Sequence, residues 1–224
     1  SRHTPFSVLL ARYVREDGYA KEMTTLACPD WANVVAVTEE RELVLIQQYR
    51  PGVRQVTLET PGGVIDAGED PLVAAERELL EETGYRAASI EPFGAPFANP
   101  AIQDNRIHFF LATGARWTGE PTFDGAGEEC VVTRWPVGEL DRLLSEGVVS
   151  HALCWAALAG ARPRLAKLGI LLARRAHEDW YVVRHRGGGS LGLRMQARGS
   201  GAAAAALRGT AAAVRAAAAA VRTA

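Results

Sequence analysis

Residues 63–85 read GVIDAGEDPLVAAERELLEETGY and hold seven acids and one base. Asp70-Pro71 is a helix start, because Asp caps free N–H groups and Pro suits the first helical position. Gly84 suits the residue just past the helix end. Between them Leu72, Ala75, Leu79 and Thr83 recur at helical spacing and predict one face to bury. Glu78, Glu81 and Glu82 then point into one sector beside that face, and like charges at that spacing destabilise a helix. One reading is a solvated acidic surface. The other is a cluster of hard oxygen ligands at the edge of a core, as Mg²⁺ or Mn²⁺ requires. Such a cation removes the repulsion and attracts a phosphate-bearing substrate.

The rest of the chain places this helix among strands. Phe6 to Tyr13, Val34 to Val37, Leu43 to Ile46 and Gln55 to Thr60 read as strands in the first sixty residues. Pro61-Gly62-Gly63 is a strong break. Strand patterns return at Ile107 to Ala112 and Cys130 to Trp135. Helices are expected near Gly138 to Leu144 and from about Ser150 to Leu158, with a further candidate at Leu168 to Arg175. This order argues for a mixed sheet with helices packed on it.

Composition narrows the class. Of 224 residues, 48% are apolar and 23% charged, which is ordinary for a globular chain. No apolar run is long enough to resemble a membrane span, and the first residues lack a signal-peptide pattern. The missing initiator Met suggests a processed or trimmed chain. Cys28, Cys130 and Cys154 form no CxxC pair, so neither a disulfide framework nor a zinc site is expected, and a reducing cytoplasmic home fits. The five histidines show no ligand spacing; His108 reads as a packed strand residue, and Cys154 and Trp155 read as core.

Charge is unevenly spread. Residues 181–224 carry seven arginines and no acid, while the remainder carries 18 basic and 26 acidic side chains. Residues 1–32 are expected to form N-terminal strands and 33–162 the main domain. Residues 163–186 read as an extension, and 187–224 as a Gly/Ala/Arg-rich tail opened by a GGGS linker. Arg208, Arg215 and Arg222 repeat every seven residues and would share one helix face. Without interleaved aromatics this is a weak nucleic-acid signal, and an accessory tail is the plainer reading.

The acidic segment resembles the Nudix box, Gly-x5-Glu-x7-Arg-Glu-U-x-Glu-Glu-x-Gly-U with U bulky and apolar. The matching positions are Gly63, Glu69, Arg77, Glu78, Leu79, Glu81, Glu82, Gly84 and Tyr85, the last aromatic rather than aliphatic. The run from Leu43 to Arg50 and the LETPGG segment, Leu58 to Gly63, resemble the ADP-ribose and nucleoside-diphosphate-sugar pyrophosphatase branch. That branch usually has Ala where Gly62 stands. Ala98 to Arg106 occupies the place of its proline-bearing substrate loop, in a form that departs from the commonest one. The fold implied is an α/β fold, the Nudix α/β/α sandwich with a mixed sheet and N-terminal antiparallel strands.

The resemblance implies hydrolysis of a nucleoside diphosphate linked to another group, by water attack on phosphorus. Divalent metal neutralises charge, orients oxygens and lowers the pKa of bound water. Carried over residue by residue, Glu78 and Glu82 are the main metal ligands, with Glu81 assisting and the Gly62 carbonyl contributing. Arg77 holds the carboxylates in place, and Glu69 anchors the loop or reaches a metal through water. The general base is expected in the acidic loop Asp124 to Glu129, with Glu128 favoured over Glu129. Arg50, Arg54 and Arg106 are candidates for phosphate contacts and Glu59 for a ribose or base. The implied partner is a nucleotide, and Phe6 to Cys28 is a candidate homodimer element. Hydrolysis of nucleoside triphosphates or diadenosine polyphosphates is the alternative within the fold. A non-catalytic nucleotide sensor is the alternative outside enzymology.

Overall fold

Trp31–Thr38 (WANVVAVT) is apolar nearly throughout because both of its faces are covered. This strand, β3, lies at the centre of a seven-stranded sheet in a computed structural model that describes residues 6–122, 130–171, 180–184 and 193–197. The chain divides into two units, Ser1–Leu172 and Ala173–Ala224.

In the first unit, β1 (Ser7–Val14) and β2 (Ala20–Ala27) form an antiparallel hairpin. β3, β4 (Glu42–Arg50) and β5 (Gln55–Glu59) follow, then α1 (Pro71–Thr83). Next come β6 (Tyr85–Arg86), β7 (Ser89–Gly94), β8 (Ile107–Trp117) and β9 (Cys130–Pro136). A 3₁₀ turn at Val137–Glu139 leads into α2 (Leu140–Ser145), and α3 (Ala152–Lys167) completes the unit. The sheet order is β5-β4-β3-β8-β6, with β7 paired to β8 and β9 to β4. β3 and β8 are parallel while the other pairs are antiparallel, so the sheet is mixed as expected.

Alternation along β3 builds two cores. Val35 and Val37 join Leu43, Leu45, Phe109 and Leu111 under Leu140 and Leu143 of α2 and Leu158 and Leu165 of α3. Ala32, Val34 and Ala36 join Ala112 and Ala115 under Ala74, Ala75 and Leu79 of α1. The second core is rich in alanine, and small side chains at a contact let the packed elements approach closely. α1 is thereby held tight on one face of the sheet and α2 and α3 on the other, an α/β/α sandwich.

Several expectations need correction. Leu72 is 37% exposed and lies off the buried face of α1, whose buried residues are Ala74, Ala75, Leu79, Glu82 and Thr83. Cys154 is core, but Trp155 is 45% exposed, its ring N–H donating to the Leu144 carbonyl at 3.2 Å. α3 runs nine residues past the expected Leu158, to Lys167. It is followed by a turn at 168–171 with Gly169 at φ +68°, so the helix expected from Leu168 does not start there. β6 and β7 carried no clear pattern; β7 contains Pro92 and has only one strand partner, β8.

In the second unit, β10 (Trp180–Arg184) pairs antiparallel with β11 (Leu193–Ala197). The expected GGGS linker and the alanine-arginine helix lie outside the described residues.

Candidate active site

α1 is bounded as its sequence requires. Asp70 Oδ1 accepts the Leu72 N–H at 2.8 Å, and Pro71 opens the helix. Gly84 adopts φ 73° and its N–H donates to the Leu80 carbonyl at 2.8 Å. Between these caps Glu78 and Glu82 stand one turn apart on the side facing the sheet. Glu82 is itself buried, at 7% exposure.

The segment before the helix is laid along the central strand. The Val34 N–H donates to Pro61 O and the Ala32 N–H to Gly63 O, both at 2.9 Å. β4 pairs with β3 only at Ala36↔Val44 and Val37↔Leu43, so this loop takes over the edge that β4 leaves. In an extended segment alternate peptide groups face opposite ways. Gly62 therefore turns its polar groups away from β3, and its N–H donates to Glu82 Oε2 at 2.7 Å. A Cβ on Gly62 would lie 2.1 Å from the Ala32 carbonyl oxygen, and one on Gly63 2.4 Å from Glu78 Oε1. The two glycines let the loop fit between β3 and α1.

Arg77 ties the acids together. Its Nε and one terminal nitrogen donate to the two oxygens of Glu69 at 2.9 and 3.0 Å. The other terminal nitrogen donates to Glu78 Oε1 at 2.8 Å and to Glu81 Oε2 at 3.2 Å. The Val64 carbonyl accepts a further bond at 3.1 Å. The Glu69 bonds hold the Arg77 guanidinium well above its ordinary pKa. Reciprocally, Arg77 and then the Asp66 N–H hold the Glu69 carboxyl below its ordinary value. One cation thus aligns three carboxylates while Gly62 aligns the fourth. This all-oxygen donor set fits Mg²⁺ or Mn²⁺ in kind. Among the described residues these carboxylates do not draw three ligand atoms within 4.8 Å of one another.

The candidate substrate residues fall in different places. Arg50 Nε and a terminal nitrogen donate to Glu59 Oε1 and Oε2 at 2.8 and 2.7 Å. Glu59 is only 1% exposed. Burial pushes its carboxyl up, but Arg50 and Thr57 more than offset this and hold it below its ordinary range. Arg50 also feels the charge of Glu82, which links this pair to the carboxylates of α1. Arg54 sits exposed in the β4–β5 turn at φ 54°. Arg106 stacks its guanidinium 4.0 Å from the Phe97 ring centroid and donates to Ala95 O at 2.7 Å. Glu128 and Glu129 lie outside the described residues.

Other groups near the acids escaped the sequence reading. Cys130 Sγ lies 3.9 Å from Glu82 Oε1, and Thr60 donates to Asn33 Oδ1 at 2.9 Å. Cys154 Sγ lies 3.7 Å from Glu59 Oε2 across 95 residues of chain. No local spacing signals such long-range neighbours.

The NUDIX domain family matches residues 30–153, more than half of the chain. This chain belongs to the Nudix family. The Nudix region is 35% identical over 98 residues to a methanol dehydrogenase activator of Bacillus methanolicus, covering 44% of this chain and 53% of the relative. It is 34% identical over 96 residues to an ADP-ribose pyrophosphatase of Bacillus subtilis, covering 43% and 52%. The chain thus spans about half the length of these relatives. A crystal structure of an ADP compounds hydrolase superposes with TM-score 0.67 at 23% identity, over 76% of this chain and 92% of that one. That likeness confirms the Nudix fold.

Proposed function

We propose that this chain hydrolyses the pyrophosphate bond of a nucleoside diphosphate linked to another group, with ADP-ribose or a nucleoside diphosphate sugar as substrate. The observation that carries this is the set of bonds from Arg77 to Glu69, Glu78 and Glu81, beside the Gly62–Glu82 contact. An arginine that could neutralise one acid at the surface instead orders several at the mouth of a glycine loop. The 34% identity over 96 residues to the Bacillus subtilis ADP-ribose pyrophosphatase supports the substrate class.

In this reading Glu78 and Glu82, with Glu81 and the Gly62 carbonyl, hold Mg²⁺ or Mn²⁺. The metal supplies charge neutralisation and orientation of the phosphate oxygens. Arg77 keeps the carboxylates aimed when the substrate arrives. Arg50, Arg54 and Arg106 meet phosphate oxygens, and Glu59 sets the direction of Arg50 through its paired bonds. Glu128 takes the proton from the attacking water. The β1–β2 hairpin, exposed along most of its length, packs against a second copy to form a homodimer.

The test is phosphate-ester release from ADP-ribose, ADP-glucose, UDP-glucose, GDP-mannose, a diadenosine polyphosphate and nucleoside triphosphates. Each is run with Mg²⁺, Mn²⁺ or EDTA. Turnover of one sugar nucleotide is expected, abolished by EDTA and reduced at least about 100-fold in Glu82→Gln, the loss typical of a disrupted catalytic group. Glu128→Gln should lower kcat far more than KM. Turnover of triphosphates alone would replace the substrate assignment. No turnover with nucleotide binding retained would make the chain a sensor.

A further inference from the structure

The end of β5 and the start of α3 meet at one buried spot. Glu59 closes β5, His151 stands at the N-cap position of α3, and Cys154 lies in its first turn. One ligand atom from each lies within 4.8 Å of the other two. Residues three apart share a helix face, which is why His151 and Cys154 point the same way. Glu59 and Cys154 are each 1% exposed. His151 Nδ1 is shielded from solvent and has no hydrogen-bond partner among the described residues. A buried polar atom without a partner calls for an explanation.

The hydrolytic reading gives His151 and Cys154 no task. Their donor set also differs from that of α1: one imidazole, one sulfur and one carboxylate, against oxygens alone. Sulfur and imidazole select Zn²⁺ and its neighbours over Mg²⁺. We propose that Glu59, His151 and Cys154 form a second cation site, for Zn²⁺ or a similarly thiophilic divalent ion, with three protein ligands and one open position.

The chemistry balances locally. Burial, then the nearby Glu59 charge, pushes the Cys154 thiol up to about 12, so it is protonated at neutral pH. On binding, the S–H bond breaks, a sulfur–metal bond forms and the proton leaves to solvent. Glu59 can serve because a carboxylate has about four lone-pair sites. Oε1 already accepts from Arg50 and Thr57, while Oε2 lies nearest Cys154. The cation would draw Oε2 from its 2.7 Å bond to Arg50 and loosen the arginine that faces the α1 carboxylates.

The experiment uses the full chain, stripped with chelator and titrated with Co²⁺ and then Zn²⁺ in excess Mg²⁺. One Co²⁺ per chain is expected, with thiolate-to-cobalt charge-transfer absorption that Zn²⁺ displaces. Cys154→Ser should abolish the band and His151→Ala should weaken binding at least about tenfold. A Cys28→Ser/Cys130→Ser double variant and Glu82→Gln should both keep the band. Absence of the band overturns the proposal, as does its survival in Cys154→Ser or unchanged binding in His151→Ala. Should Cys154→Ser fail to fold, His151→Ala and the double variant still decide. Because the readout is spectroscopic, its failure leaves the hydrolytic reading untouched, and the reverse holds.

Discussion

Gly62 shows how a single side chain, or its absence, sets the site. The loop reaches β3 through Pro61 and Gly63, which leaves Gly62 wedged against the Ala32 carbonyl at φ +153°. An added methyl would stand 2.1 Å from that oxygen, and backbone cannot yield as a flexible side chain does. Gly62→Ala should therefore cost about 1–3 kcal/mol and lower Tm by roughly 2–12 °C. It should also weaken Mg²⁺ binding, because the Gly62 N–H anchors Glu82. An unchanged Tm, read by differential scanning calorimetry, would show that the loop has another path past β3.

At the scale of the element, α1 carries two opposed demands. Its acids repel one another, and its buried face is small, built from Ala74, Ala75 and Leu79. The caps and Arg77 offset this. Asp70→Ala removes the bond to the Leu72 N–H. Loss of about 1 kcal/mol is expected, read as a Tm drop of roughly 2–4 °C. Asp70→Asn, which keeps an acceptor oxygen, should recover most of it. A drop of equal size in both variants would assign the effect to charge at the helix N-terminus rather than to the cap bond.

At the scale of the whole molecule, the described residues leave the β1–β2 hairpin uncovered along most of its length. Val8, Leu10 and Val14 on one face of the β1–β2 hairpin are 66%, 69% and 59% exposed, and Leu9 and Tyr13 on its other face are 47% and 54% exposed. A lone two-stranded hairpin is marginal in water, and apolar groups on both faces call for a cover. With a second copy as that cover, Leu10→Glu should convert a dimer to a monomer in sedimentation equilibrium. A mass unchanged by the substitution, monomer or dimer, would remove the hairpin from the interface. Of the described residues, no helix is long and apolar enough to cross a membrane.

What could be read from the residues alone was what is local. The helix over 71–83, its caps, its acidic sector and the Nudix spacing all lie within one stretch of chain, so periodicity and motif exposed them. The central strands were legible because burial on both faces makes them continuously apolar. Leu72 and Trp155 misled because periodicity states which residues share a face, not which of them a neighbour covers. β7 was silent because a proline-bearing strand with one partner lacks the apolar pattern of a central strand. The tertiary structure alone decided that the loop replaces β4 beside β3, that Arg50 closes on Glu59, and that His151 and Cys154 come to the same carboxylate. Each of those joins residues from different elements: pairing beside β3 and between β4 and β5 makes the first two, and only the packing of α3 on the sheet makes the third.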